Sequence, residues 1–244
     1  MPSPPRIDSE TRREITRRKR LLERVTSLVE EHVAIPETDV VMEVTRPESI
    51  DSLLDEVMND PEQNLPYWAE IWPSGIALAS LLLNDPSLVA GLPVIELGSG
   101  IGITAAAALM AGADLTITDY ATHSLHLAAI TCLRAGQLVP PSRQVNWRDP
   151  AATLLQQSGE RWPVVLAADV LYEQRDIEPV LDVLERITAE DGLVLLAEPG
   201  RRPSQEAIAL AKTRGWDVSS RQFIGPWHDP KEADVIVTVH SMKR

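Results

Sequence analysis

A doubly wound α/β fold around a mostly parallel sheet is what this 244-residue sequence predicts. Three observations carry that expectation. From Pro93 onward, apolar runs of strand length alternate with runs of helical period, and successive parallel strands need helical crossovers. The first such run, Val94-Ile95-Glu96-Leu97, leads directly into Gly98-Ser99-Gly100-Ile101-Gly102 and then a helical pattern, which reads as strand, tight loop and helix. The chain closes on two strand-like runs, 218–224 and 233–242. They are joined by the turn-rich Gly225-Pro226-Trp227-His228-Asp229-Pro230 and so are expected to be antiparallel neighbours. Five parallel strands and this closing pair make a seven-stranded sheet.

The elements follow in order. Residues 1–5 are rich in Pro and Ser and read as disordered. Residues 9–33 read as one helix, because Leu21, Leu22, Val25, Leu28 and Val29 recur at three- and four-residue spacing. Its first half is basic, with Arg12, Arg13, Arg17, Arg18, Lys19, Arg20 and Arg24, which is either a solvated face or a docking surface for an acidic partner. Residues 40–45 alternate like a strand, and 47–58 resemble a helix with acids in its first turn. Two prolines and three aromatics between Asn64 and Gly75 argue against a regular element there, and 76–83 returns to a buried helix. Parallel strands are expected near 94–97, 115–119, 144–147, 164–169 and 193–197. Helices are expected near 103–111, 123–135, 151–157, 177–188 and 204–214.

Composition narrows the function classes. A net charge of −13 argues against non-specific nucleic-acid binding and suits a cationic substrate or a basic protein partner. The one cysteine, Cys132, sits in a helical pattern as a small core residue and cannot form an internal disulfide, which points to a reducing, cytoplasmic setting. There is no secretory leader pattern, and no apolar run approaches the roughly 18 residues of a membrane span. No His/Cys cluster has metal-ligand spacing.

Ligands of open α/β sheets sit beyond the carboxyl ends of the strands, and that rule collects the segment from Glu96 to Gly102 with Asp119, Trp147 and Asp169. A strand-end acid such as Asp119 suits a ribose. The glycines are spaced Gly-x-Gly-x-Gly, shorter than the Gly-x-Gly-x-x-Gly of dinucleotide sites. Glu96 would repel a pyrophosphate but suits a ligand with ammonium and sulfonium charges. Trp147 either stacks beside an adenine or caps the sheet core. Asp169 either orients a nucleophilic amine and stabilises charge on it, or caps a helix. The 67–75 stretch is either a packed loop or a lid contributing Trp72, with Glu70 nearby. His123 and His126 read as surface or packing residues, and His228 as a weakly supported general base.

The pattern Glu96-x-Gly98-x-Gly100-x-Gly102 resembles the first motif of seven-stranded, S-adenosylmethionine-dependent methyltransferases. Pro66-Tyr67-Trp68-Ala69 with Trp72-Pro73-Ser74-Gly75, and Asp169-x-x-Tyr172, are similar to motifs of the protein lysine methyltransferases of that group. The similarity is to the electron-transfer flavoprotein β-subunit lysine methyltransferases, some of which have been described as nicotinamide N-methyltransferase-like. The resemblance implies a Rossmann-like sheet whose last strand is inserted antiparallel, with an N-terminal helical extension. It implies S-adenosyl-L-methionine as cofactor, held by Trp72, Glu96, Gly98, Ser99, Gly100, Gly102, Asp119, Tyr120, Trp147 and Ala168. It also implies Asp169 and Tyr172 as the catalytic pair facing the substrate amine. Residues 1–60 then form an accessory segment with the basic helix, which matches no motif of the family, and 61–244 the methyltransferase domain. The expected activity is protein-lysine N-methylation. The alternatives are methylation of a small molecule at N or O, and a cofactor-binding interaction module without turnover. No specific nucleic acid and no membrane are expected as partners.

Overall fold

The computed structural model describes residues 7–54, 58, 60, 62, 64–149, 154 and 159–244. The first helix, α1 (Ser9–Leu22), begins where Asp8 accepts a hydrogen bond from the Thr11 amide at 2.7 Å. It buries Ile15 and Leu22 and ends far short of residue 33. Leu28 and Val29 instead open β1 (Leu28–Ala34), which pairs antiparallel with β2 (Val41–Pro47). The three/four spacing matched a helix, but β-branched Val25, Thr26, Val29 and Val33 resist one, and pairing with β2 wins. Residues 50–53 form a single 3-10 turn, Ile50–Leu53. Of the helix expected over 47–58, Pro47 instead closes β2, and 55–57 lie outside the described residues, as do the expectations for 1–5 and, apart from Leu154, for 151–157.

The main sheet holds β3 (Pro93–Leu97), β4 (Asp114–Asp119), β5 (Ser142–Gln144), β6 (Trp162–Ala168), β7 (Thr188–Glu198), β8 (Asp217–Ile224) and β9 (Ile236–Lys243). Their order is β5-β4-β3-β6-β7-β9-β8. The first five are parallel, and β9 runs antiparallel between β7 and β8, as expected. The third parallel strand ends at Gln144, so Trp147 lies on the loop beyond it. Chain order reverses at β3, which has β4 on one side and β6 on the other. A crevice opens above the carboxyl ends of strands at such a reversal.

Two apolar layers cover the sheet. One face carries α2 (Pro73–Asn84), α3 (Ile103–Met110) and α4 (Thr122–Arg134), with Ile76, Leu78, Leu82 and Leu127 buried. Ile15, Leu22, Val33 and Val44 belong to this same cluster, so the N-terminal elements share the body's core. The other face carries α5 (Ile177–Ile187) and α6 (Arg202–Thr213), with Val180, Leu181, Leu184 and Ala211. Among the described residues no helix is long and apolar enough to cross a membrane.

Candidate active site

The loop after β3 is shaped by backbone that only glycine adopts readily. Gly98, Gly100 and Gly102 have φ of +70°, +50° and +88°. A Cβ on Gly98 would stand 3.0 Å from a Val170 methyl and 3.5 Å from the Trp147 ring, so the loop can pass only as glycine. Gly102 meets a different constraint: a Cβ there would lie 2.4 Å from the Ala128 Cα. It serves the close packing of α3 on α4. Ser124 and Thr131 of α4 donate to the Gly100 and Ile101 carbonyls at 2.8 and 2.6 Å, tying the loop down from below.

Asp119 ends β4 beside this loop. Its two carboxylate oxygens accept from the Gly100 and Ala121 amides, each at 2.9 Å, which leaves lone pairs toward the cavity it lines. Burial raises its pKa, against the pull of these hydrogen bonds. Glu96 is also buried, one strand over, with Ile117 and Leu166 beside it in the sheet. Burial, reinforced by Asp119, pushes its pKa well above the ordinary carboxylate value, which favours the protonated form. Its Oε2 and the Ser99 Oγ have no hydrogen-bond partner.

At the exit of β6, Asp169 takes a left-handed φ of +55°, rare outside glycine and costly, which bends the chain and presents the carboxylate over the sheet edge. Arg201 donates to it twice, Nε to Oδ1 at 3.1 Å and Nη2 to Oδ2 at 3.3 Å, and Ser74 Oγ donates to Oδ2 at 3.4 Å. Burial nonetheless outweighs Arg201 and raises the Asp169 pKa. Tyr172 is turned edge-on to Tyr67, with ring centres 5.3 Å apart, and burial raises its phenol pKa. Tyr67 in turn meets Trp72 edge-on at 6.1 Å and accepts the Trp72 indole N–H on its carbonyl at 2.8 Å. Trp72 sits at the N-cap of α2, with Pro73 in the first turn where its missing amide costs nothing.

One cavity therefore brings together Trp72, Gly98, Gly100, Asp119, Tyr120, Trp147, Ala168, Asp169 and Tyr172. Glu96, Ser99 and Gly102 do not line it. Glu96 and Ser99 are buried beneath it, and Gly102 packs against Ala128 instead. His123 stands against Trp68, His126 meets Arg18 at 3.0 Å, and His228 pairs with Glu31, so none of the three lines the cavity. Burial, then Arg18, lowers the His126 pKa. No metal-binding group of side chains occurs among the described residues.

Several wall residues escaped the sequence reading. Arg148 donates to Asp176 at 2.6 Å and to Glu62 and Asn64 at 3.0 Å, and Trp147 donates to the same Asp176 at 3.1 Å. This fastens Glu62 and Asn64 to Arg148, with Asn64 at the cavity wall. Tyr120 donates to Asp60, and burial with that acceptor pushes its phenol up to about 12. Arg201 follows the end of β7. The strand-end rule applied to this fifth strand would have found it.

A family described as "Lysine methyltransferase" matches residues 58–211. The chain is 33% identical over 141 residues to the human electron transfer flavoprotein beta subunit lysine methyltransferase, covering 56% of this chain and 50% of that one. It is 31% identical over 139 residues to the Danio rerio counterpart, covering 56% and 51%. The chain thus spans about half the length of the curated relatives it matches. Among solved structures it is similar in fold to the N-methyltransferase NodS of Bradyrhizobium japonicum, with TM-score 0.56, 15% identity and coverage of 80% and 97%.

Proposed function

Because this chain belongs to the lysine methyltransferase family, we propose that it transfers the methyl group of S-adenosylmethionine to a lysine side chain of a protein. The observation that carries the reading is the placement of Asp169 and Tyr172 on the same cavity as Gly98, Gly100 and Asp119. One end of that cavity suits a nucleoside and the other an amine.

The residues fit the cofactor. Asp119 has free lone pairs for ribose hydroxyls, and Trp147 and Tyr120 offer ring surface for an adenine. Gly98 and Gly100 keep the floor bare. The unpartnered Glu96 Oε2 and Ser99 Oγ leave hydrogen-bonding capacity in the same strand and loop. Ala168 and Trp72 would border the amino-acid portion, toward Asp169. Bound there, the cofactor supplies a methyl group on a cationic sulfur, open to in-line displacement.

Asp169 holds the acceptor nitrogen. The attacking amine must be neutral, yet a free lysine has pKa about 10.4. A carboxylate alone would favour its charged form, so desolvation among Tyr67, Trp72 and Tyr172 must oppose it. As the N–C bond forms, the nitrogen becomes positive, and Asp169 stabilises that charge and then receives or passes on the proton. Alignment of the two reactants supplies most of the acceleration. The aromatic segment 67–72 excludes water.

The N-terminal segment, 1–60, serves partner choice in this reading. Arg12, Arg13, Arg17, Arg20 and Arg24 are exposed along α1 and the turn after it, a basic stripe on a chain of net charge −13, which supports docking of an acidic partner. The single cysteine is buried, consistent with a reducing, cytoplasmic setting.

Incubation with radiolabelled S-adenosylmethionine and a lysate of the source cells tests the reading. Label in a protein band, lost when Asp169 is replaced, is the expected result, whereas label confined to small solutes would favour a small-molecule acceptor. Calorimetry showing no binding of S-adenosylmethionine or S-adenosylhomocysteine would overturn the reading altogether.

A further inference from the structure

Among the described residues Arg201 is the one cation that touches Asp169. Its guanidinium makes a two-point contact with the carboxylate at 3.1 and 3.3 Å. The same group lies over the Trp72 ring, 5.4 Å from its centre. The Asp169 side chain is 6% exposed and that of Arg201 39%, so the arginine reaches a buried anion from the solvent side. A carboxylate at the bottom and an aromatic face on the wall are the chemistry that receives an ammonium group.

We infer that Arg201 occupies the acceptor-ammonium subsite in the free protein, as an internal stand-in that an incoming lysine must displace. This rests on the lysine reading for the nature of the incoming cation. Three features fit an arginine that can leave. Among the described residues its charge is held at the tip, by Asp169 and Trp72. Its side chain is 39% exposed, which leaves the guanidinium a path to solvent while the backbone stays pinned as the N-cap of α6. Partly buried Glu232 feels the charges of Asp169, Arg201 and Glu70, so the surroundings of the guanidinium are acidic. While seated, Arg201 keeps the buried carboxylate compensated; an anion left alone there would be costly. It also sets a threshold that favours cations able to compete for both the carboxylate and the ring.

The test titrates n-butylammonium chloride, the lysine side-chain analogue, into protein with and without S-adenosylhomocysteine, following the Trp72 indole N–H resonance. Arg201→Ala should bind the probe about tenfold more tightly than the unaltered protein. Arg201→Gln, similar in length but neutral, should do the same and stands in if the alanine variant folds poorly. Adding Asp169→Asn to either should abolish the gain. Equal affinity with and without Arg201, or a gain that survives Asp169→Asn, would overturn the inference. A gain in protein that fails to bind S-adenosylhomocysteine would uphold the subsite while removing the methyltransferase reading.

Discussion

Replacing Gly102 by alanine separates two explanations of the glycine loop. Its φ of +88° is one that a residue with a Cβ enters at a cost of roughly 1–2 kcal/mol. The new methyl would also lie 2.4 Å from the Ala128 Cα and 2.9 Å from the Ala128 Cβ and carbonyl oxygen. These are backbone and first-carbon atoms of α4, so no rotamer change relieves them, and such overpacking adds about 1–3 kcal/mol. The expected sum is about 2–5 kcal/mol, or a fall in Tm of roughly 4–20 °C for a chain of this size. Gly215→Ala is the control. It has φ +92° but nothing within 4 Å of its Cβ, so it carries the backbone strain alone. Thermal unfolding followed by circular dichroism should therefore place Gly102→Ala several degrees below Gly215→Ala. Equal shifts would refute the packing argument. An unchanged Tm with lost S-adenosylhomocysteine affinity would assign Gly102 to the ligand instead.

Asp169→Asn should lower single-turnover methylation by about 10²–10³-fold, as for loss of a positioned electrostatic partner, and leave calorimetric affinity for S-adenosylhomocysteine within about twofold. Equal losses in both would sink the proposed role. Trp72→Ala should weaken S-adenosylhomocysteine binding by about 2–10-fold, the worth of an aromatic contact, and unchanged affinity would leave Trp72 only a packing role. Glu96 has a folded-state pKa raised by burial, so the folded protein holds its proton more tightly than the unfolded chain. Stability from this group is then full below the unfolded value of about 4.3 and declines as pH rises toward the folded pKa. Urea titrations should show Glu96→Gln losing stability less steeply than the unaltered protein above about pH 4.3, and parallel slopes would show Glu96 to be charged when folded.

The strand-loop-helix at 93–110 and the βα alternation after it were legible because the signals are local: apolar runs, glycine spacing and helical period within a few residues. The helix expected over 9–33 failed for the opposite reason. Whether Leu28 and Val29 continue a helix or start a strand depends on β2, a dozen or so residues away, offering a ladder. Trp147 was placed at the right end of the sheet but on the wrong element, since β5 stops at Gln144.

Motif chemistry, by itself, determined the family, the parallel core and half of the residues of the cavity wall, because covalent neighbours fix which strand end each one occupies. Depth and pairing belonged to the tertiary structure. It buried Glu96, where desolvation disfavours the charge the sequence reading relied on. It assigned Gly102 to helix packing and tied Glu62 and Asn64 to Arg148. It also brought Arg201, 32 residues on from Asp169, to rest on that carboxylate. Solvation and charge partners come from elements remote along the chain, and only folding brings those elements together.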